Sequence, residues 1–282
     1  MHIGGSLESS SLNNKIADFL SGVSTARSRA LLLDYDGTLA PFTFNPAHAF
    51  PYPEIPGVLR RIQQQTDTRL VIVTGRHASE IPKLMNLHGI EVWGCNGIER
   101  LRPDGSHEIA RIDARLLAAI ETASRLIACE GLSYLAERKT ASIAIHWRGR
   151  EEISEHIVKR VRRVWAMVPD RNELRLAPFD AGIEIRIAQK DKGDAVRSIL
   201  AEMEPGVAMA YLGDDATDED AFGALTRRGL CVLVRDCYRT TIADEWIRPP
   251  NDLLTFLRGW LAACPPQEQV PAEPACDREA IE

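Results

Sequence analysis

The chain has 282 residues, 45% of them hydrophobic, with 34 basic and 40 acidic side chains and a formal net charge of −6. That length can bury a full core and leaves room for a core plus an insert, while interspersed charges of net negative sign argue against nucleic acid or an anionic membrane as partner. Six cysteines (Cys95, Cys129, Cys231, Cys237, Cys264, Cys276) form no C-x-x-C pair and no zinc-like Cys/His spacing, the stretch MHIGGSLESSSLNN lacks a basic start followed by an apolar run, and no apolar run reaches membrane length, so a soluble, cytoplasmic protein with reduced thiols is expected.

In chain order, residues 1–27 read as an N-terminal segment whose Gly/Ser/Asn-rich start predicts partial disorder. Short apolar runs then alternate with helical patterns: ALLLDYDG, a helix near PGVLRRIQQQ, RLVIVTGR, a further helical segment and IEVWGCNG. This is the rhythm of βαβ units. It returns late, with KGDAVRSILAEM and DEDAFGALTRRG as helices and AMAYLGDD and LCVLVRD as strands. Between them, about residues 98–184 mix two amphipathic helices (DARLLAAIETASRLIA, SEHIVKRVRRVWAM) with alternating strands (ASIAIHWR, GIEIRI). The expectation is an α/β protein: a Rossmann-like, doubly wound parallel-sheet core over 28–97 and 185–262, an inserted α+β cap over 98–184, and a disordered Pro/Glu-rich tail over 263–282.

The first strand runs into Asp34 and Asp36, at the carboxyl edge where open parallel sheets bind ligands. An isolated D-x-D-G is more often a turn, and a calcium loop is excluded because Gly37 is fourth and Asn45 twelfth in the string. Further apolar strands run into Thr74 and into Asp214 and Asp215, with Asp218 one turn on, and Lys192 opens a helix. Each taken singly has a plainer reading: a helix cap for Thr74, a dipole-favoured acid cluster for the aspartates, a solvated lysine for Lys192. In the insert, strand parity places Glu137 with Lys139, His146 with Arg148, and Glu184 with Arg186, opposite an apolar face carrying Ile183, Ile185 and Ile187. Such a polar face can hydrogen-bond sugar hydroxyls or simply face solvent.

The strings DYDGTL, VTGR, KDKGDAV and GDDATDEDAF, in that order, resemble the motifs of the haloacid dehalogenase-like superfamily. Within it, GDDATDEDAF, the E-x-K at Glu137 and Lys139, the H-aromatic-R at His146 to Arg148, and the E-x-R at Glu184 before D-K-G resemble the trehalose-6-phosphate phosphatase family over about residues 28–260. The resemblance implies a phosphatase with Asp34 as nucleophile, Asp36 as acid and base, and Thr74 and Lys192 binding and neutralising phosphate. It implies Mg2+ held by Asp34, the Asp36 carbonyl and Asp214, with Asp215 and Asp218 orienting Lys192 and metal-bound water. A small sugar phosphate would meet Gly75, Arg76, Asn96, Glu99, Glu137, Lys139, His146, Arg148 and Glu184.

Two positions depart from the family pattern. Asn96 stands where G-x-H-G-x-E has histidine, and Ile187 where a proline usually follows E-x-R. Three readings therefore stay open: hydrolysis of trehalose 6-phosphate, hydrolysis of a related sugar phosphate such as sucrose-6-phosphate or a glycosylglycerate phosphate, and a non-catalytic sugar-phosphate sensor.

Overall fold

The computed structural model describes residues 8–265. The expected disorder at the extreme ends falls outside that range. Twelve strands and eight α-helices are present among the described residues. The strands are β1 (Arg29–Leu33), β2 (Thr68–Val73), β3 (Glu91–Gly94), β4 (Glu99–Leu101), β5 (His107–Ile109), β6 (Ala136–Lys139), β7 (Ser142–His146), β8 (Leu174–Phe179), β9 (Gly182–Ile187), β10 (Ala208–Gly213), β11 (Leu230–Val234) and β12 (Glu245–Ile247). The helices are α1 (Glu8–Thr25), α2 (Ile55–Gln65), α3 (Ile81–Met85), α4 (Ala114–Cys129), α5 (Ser154–Met167), α6 (Lys192–Glu202), α7 (Asp218–Leu225) and α8 (Asn251–Ala263).

Eight strands form the main sheet in the order β12-β11-β10-β1-β2-β3-β4-β5, parallel from β12 to β3 and antiparallel beyond. β1 is buried along its whole length and its side chains alternate between two cores. Leu31 and Leu33 join Ile55, Leu59 and Ile62 of α2 and Trp260 of α8 on one face, while Ala30 and Leu32 join Val196 and Ile199 of α6 and Phe222 of α7 on the other. A central strand apolar on both sides is what helices on both faces of a parallel sheet require. The fold is thus the expected doubly wound α/β core with an inserted α+β cap.

Two elements were not legible at the ends. The Ser/Asn-rich start conceals α1, whose Ile16, Phe19, Leu20 and Val23 recur on one face and pack against the core, with Phe19 lying 6.1 Å from the Trp260 ring. In the stretch DLLTFLRGWLAA, α8 buries Leu253, Leu254, Phe256, Leu257 and Trp260, with Cys264 as its C-cap. No helix among the described residues is long and apolar enough to cross a membrane.

The insert's sheet, in the order β6-β7-β9-β8, is wholly antiparallel, and α4 and α5 cover one of its faces through Leu116, Ile120, Ile157, Val161, Ile143, Ile145 and Ile185. Its limits differ from those expected. Glu99–Leu101 and His107–Ile109 extend the main sheet rather than the cap, and β9 carries the cap sheet past residue 184 to Ile187. Strands of three residues are too short to show alternation in sequence.

Between β1 and its two neighbours the chain changes direction across the sheet: β2 and β3 follow on one side, and β10 returns on the other. The crevice at this switch point lies beyond the carboxyl ends of β1, β2 and β10. Asp34, Thr74 and Asp214 are the residues immediately beyond those strands.

Candidate active site

Asp34 sits at the floor of this crevice, 3% exposed. Its Oδ1 accepts a 2.6 Å hydrogen bond from Lys192 Nζ and its Oδ2 a 3.2 Å bond from the Thr38 hydroxyl. Burial pushes its carboxyl up, to about 7, although the Lys192 ammonium opposes the shift. Lys192 is the first residue of α6, buried, and shared: its Nζ also donates to Asp218 Oδ1 at 2.8 Å. Burial opposes its charge, but the carboxylates of Asp218 and Asp34 win and hold the ammonium protonated well above the usual lysine range.

Asp218 is fully buried with both oxygens committed. Oδ1 accepts from Lys192 and the Tyr211 hydroxyl, and Oδ2 from the amides of Asp214 and Asp215. It therefore clamps the β10–α7 turn and holds Lys192. Asp215 departs from expectation, because its Oδ2 accepts the Asp180 amide at 2.9 Å and so joins cap to core instead of orienting Lys192.

Asp214 Oδ2 is buried without a hydrogen-bond partner, the nearest cation being the Arg235 guanidinium at 3.6 Å. Burial, then the negative charges of Asp34 and Asp218, push its carboxyl well above the usual range. Carboxylate oxygens of Asp34, Asp214 and Asp218 all lie within 4.8 Å of one another. An orphan oxygen in a cluster of hard oxygen donors suits a small divalent cation. With Asp218 saturated, Asp34 and Asp214 are the carboxylates left to hold it. Gly37 makes room: with φ of +82°, it would place a Cβ 2.3 Å from Asp214 Oδ2.

Asp36 is gripped by Arg76 in a two-pronged pair, Nε to Oδ2 at 2.6 Å and Nη2 to Oδ1 at 2.8 Å. Arg76 also donates to the Pro46 carbonyl and to Glu80, so it ties the loop after β1 to Asp36 while lining the cavity. Thr74 is buried, and its hydroxyl accepts the Arg76 amide at 3.2 Å.

Above these groups lies a cavity of about 720 Å3, roofed by the cap. Its lining includes Gly75, Asn96, Glu137, Lys139, His146, Arg148 and Glu184. Strand register puts Glu137, Ala144 and Glu184 side by side, and Lys139, Ser142 and Arg186 beside them. The polar parity face is therefore turned onto the core rather than to solvent. Glu137 accepts from His146 at 2.9 Å and lies 3.9 Å from Lys139 Nζ, which is also 3.6 Å from Glu184. Burial alone would raise the Glu137 pKa, but hydrogen bonding to His146 and the charge of Lys139 bring it to about 2.

Asn96 belongs to a turn in which Cys95, Asn96 and Gly97 have φ of 47°, 55° and 93°. Left-handed backbone at two non-glycine residues is costly and concentrates at functional sites. The turn presents Asn96 to the cavity, with Nδ2 at 3.5 Å from Glu184 Oε2. It depends on Gly94, where an added Cβ would meet the Ala78 amide nitrogen at 2.4 Å. Gly94→Ala is expected to cost about 1–3 kcal/mol, since backbone on both sides must move; urea unfolding would measure it, and a change within 0.5 kcal/mol, about what a neutral surface change gives, would contradict the packing.

Glu99, expected at the sugar, is corrected by its position: it does not line the cavity but lies behind it, 3% exposed. It accepts from the Ala78 amide, His77 and the Thr140 hydroxyl. Burial would raise its carboxyl, but those hydrogen bonds bring it down to about 2. The sequence reading also missed lining residues: Phe42, Phe44, Tyr134, Phe179 and Asp180. Arg148 stacks 4.0 Å over Phe42 and pairs with Asp180 at 2.8 Å. Arg235, which contacts Asp214, directly follows β11 and could have been found by the strand-end rule that located Asp34.

A doubly wound core, paired aspartates at the tip of its central strand and a cap inserted above them define the haloacid dehalogenase-like class of folds. A sequence profile described as trehalose-phosphatase matches residues 32–244. The chain belongs to the trehalose-phosphatase family. A protein of Mycobacterium marinum named trehalose-phosphate phosphatase is 29% identical over 242 residues, covering 80% of this chain and 60% of its own length. A Sinorhizobium fredii protein named probable trehalose-phosphate phosphatase is 32% identical over 221 residues, covering 75% of this chain and 80% of its own. Among solved structures, the C-terminal domain of a Candida albicans trehalose-6-phosphate phosphatase has a TM-score of 0.71 at 22% identity, covering 89% of this chain and 97% of that one. The chain thus spans about three fifths of the Mycobacterium marinum relative's length.

Proposed function

We propose that this protein is a cytoplasmic, Mg2+-dependent phosphatase that hydrolyses trehalose 6-phosphate to trehalose and phosphate through an aspartyl-phosphate at Asp34. The carrying observation is that Asp34, flanked by Lys192 and Thr38, forms the floor of a cavity whose roof is the polar face of the cap. Phosphoryl transfer needs positioning and charge neutralisation more than covalent help, and these groups provide both. Lys192 neutralises Asp34 and incoming phosphate, and the Thr74 hydroxyl stands at the next strand end. Mg2+, held by Asp34, Asp214 and the Asp36 carbonyl, would supply further charge neutralisation. Asp36 protonates the departing sugar oxygen and then deprotonates water, for which the Arg76 fork must free one of its oxygens.

The cap's Glu137, Lys139, His146, Arg148 and Glu184, with Asn96 from the core, bind the sugar hydroxyls. Paired acids and bases on rigid strands fix hydroxyl geometry well. The same site supports a second reading: neutral Asn96 in the cavity, with Glu99 withdrawn from it, favours a related substrate such as sucrose-6-phosphate or a glycosylglycerate phosphate. Magnesium-dependent phosphate release from a panel of these compounds and simple hexose phosphates tests the assignment. A preference for trehalose 6-phosphate supports the first reading, a preference for another sugar phosphate the second, and release from none would leave a sensor.

Glu137→Ala separates binding from chemistry. It is expected to raise KM for the sugar phosphate at least about tenfold, the value of one or two lost hydrogen bonds to a charged group, with little change on an aryl phosphate. Equal losses on both substrates would remove Glu137 from sugar recognition.

A further inference from the structure

His77 lies 18 residues before Cys95, and Glu99 four residues after it, and the fold brings their ligand atoms together. From this arrangement we infer that they form a second cation site, for Zn2+, distinct from the carboxylates that would hold Mg2+. His77 Nδ1 is 2.9 Å from Glu99 Oε1, Cys95 Sγ is 3.4 Å from the same oxygen, and Cys95 Sγ is 3.6 Å from His77 Nδ1. Zinc bonds of about 2.0 Å to nitrogen or oxygen and about 2.3 Å to sulfur give tetrahedral edges of about 3.3 Å between nitrogen and oxygen and about 3.5 Å from sulfur to either. The three atoms are thus already close to the spacing of one face of a tetrahedron.

The donor set is the discriminating feature. Thiolate and imidazole suit Zn2+, whereas Mg2+ takes oxygen ligands, as Asp34 and Asp214 offer. Support around the site is also of the right kind. Glu99 Oε2, turned away from the other two ligands, accepts the Ala78 amide at 2.9 Å and has His107 Nε2 at 3.6 Å, which fixes the carboxylate's orientation. Cys95 and Glu99 are buried at 3% exposure, while the His77 side chain is 34% exposed and opens the cluster to solvent. On binding, the cation displaces the Cys95 thiol proton to solvent.

The site also lies where the core meets the cap. His77 follows Arg76, Cys95 precedes Asn96, and Glu99 Oε1 holds the Thr140 hydroxyl next to Lys139 of the cap. Zn2+ bound to Glu99 Oε1 would compete with Thr140 for that oxygen.

Cobalt(II) is the probe, because thiolate ligation gives an intense near-ultraviolet charge-transfer band and tetrahedral coordination gives visible bands. The full chain, stripped with chelator and returned to excess Mg2+, is expected to take up one equivalent of Co2+ with both signatures, which Zn2+ then abolishes. Cys95→Ser should lose the charge-transfer band. His77→Ala, at a partly exposed side chain, should bind at least about tenfold more weakly, and Asp214→Asn should retain the band. A missing band in the wild-type protein overturns the inference. So does a band that survives both Cys95→Ser and His77→Ala, which would assign it to another thiol, or one lost in Asp214→Asn, which would place the cation at the Mg2+ carboxylates.

Discussion

Asp34→Asn is expected to lower phosphate release by about 10,000-fold or more, the scale seen when a nucleophile is removed from groups that act as a unit, while leaving the fold intact. The amide keeps the shape of the carboxyl, and Lys192 keeps Asp218 as its partner. Stability should respond in a defined direction. In the metal-free protein the Asp34 carboxyl is raised from 3.8 to about 7, so the folded state binds this proton more tightly than the unfolded one. The wild type therefore loses stability as pH climbs from about 4 to about 7, and the variant escapes that loss. Urea unfolding in chelator across this range, alongside single-turnover phosphate release, checks both statements. Turnover above a hundredth of wild type would exclude Asp34 as nucleophile.

Lys192→Met should have the largest effect on stability. Its removal leaves Asp34 and Asp218 facing each other without the ammonium that each now contacts at 2.6 and 2.8 Å. Breaking a buried pair by deleting one partner costs about 3–5 kcal/mol, chiefly because the remaining charge is stranded. Activity should fall with it, since nothing else among the described residues neutralises Asp34 so closely. Adding Asp218→Asn should restore part of the stability, with a coupling of about 0.5–3 kcal/mol between neighbours in one network, but not the activity. A single variant that unfolds within about 1 kcal/mol of wild type, well short of the cost of a broken buried pair, would show the trio to be unimportant for stability.

The legible part of this site is that built by strand ends. Asp34, Thr74 and Asp214 each follow an apolar run, so their arrival at one edge of a parallel sheet follows from the sheet itself. The polar parity of the cap strands was legible too, but which way that face pointed was not, because alternation defines two faces without saying which one a second domain covers. Glu99, Asp215 and Arg76 could be located, but the protein partners they have in the fold could not be read from the sequence. Glu99 turns behind the cavity because β4 belongs to the main sheet, and Asp215 reaches Asp180 because the cap descends there. Such contacts join residues far apart in sequence, and no local pattern encodes them. The aromatic stretch around Phe42 and Phe44 lacks periodicity altogether, so its place over the cavity emerged only from the fold.

The left-handed turn at Cys95, Asn96 and Gly97 also bears on how this cavity can change over evolutionary time. Backbone with φ near +55° is tolerated by asparagine, aspartate and histidine far better than by branched or bulky residues. The backbone at position 96 therefore suits a neutral amide, an acid or an imidazole, although an acid there would face the Glu184 carboxylate. If Asn96 binds the sugar as proposed, exchanges at this point would alter charge and proton-carrying ability while keeping one backbone shape.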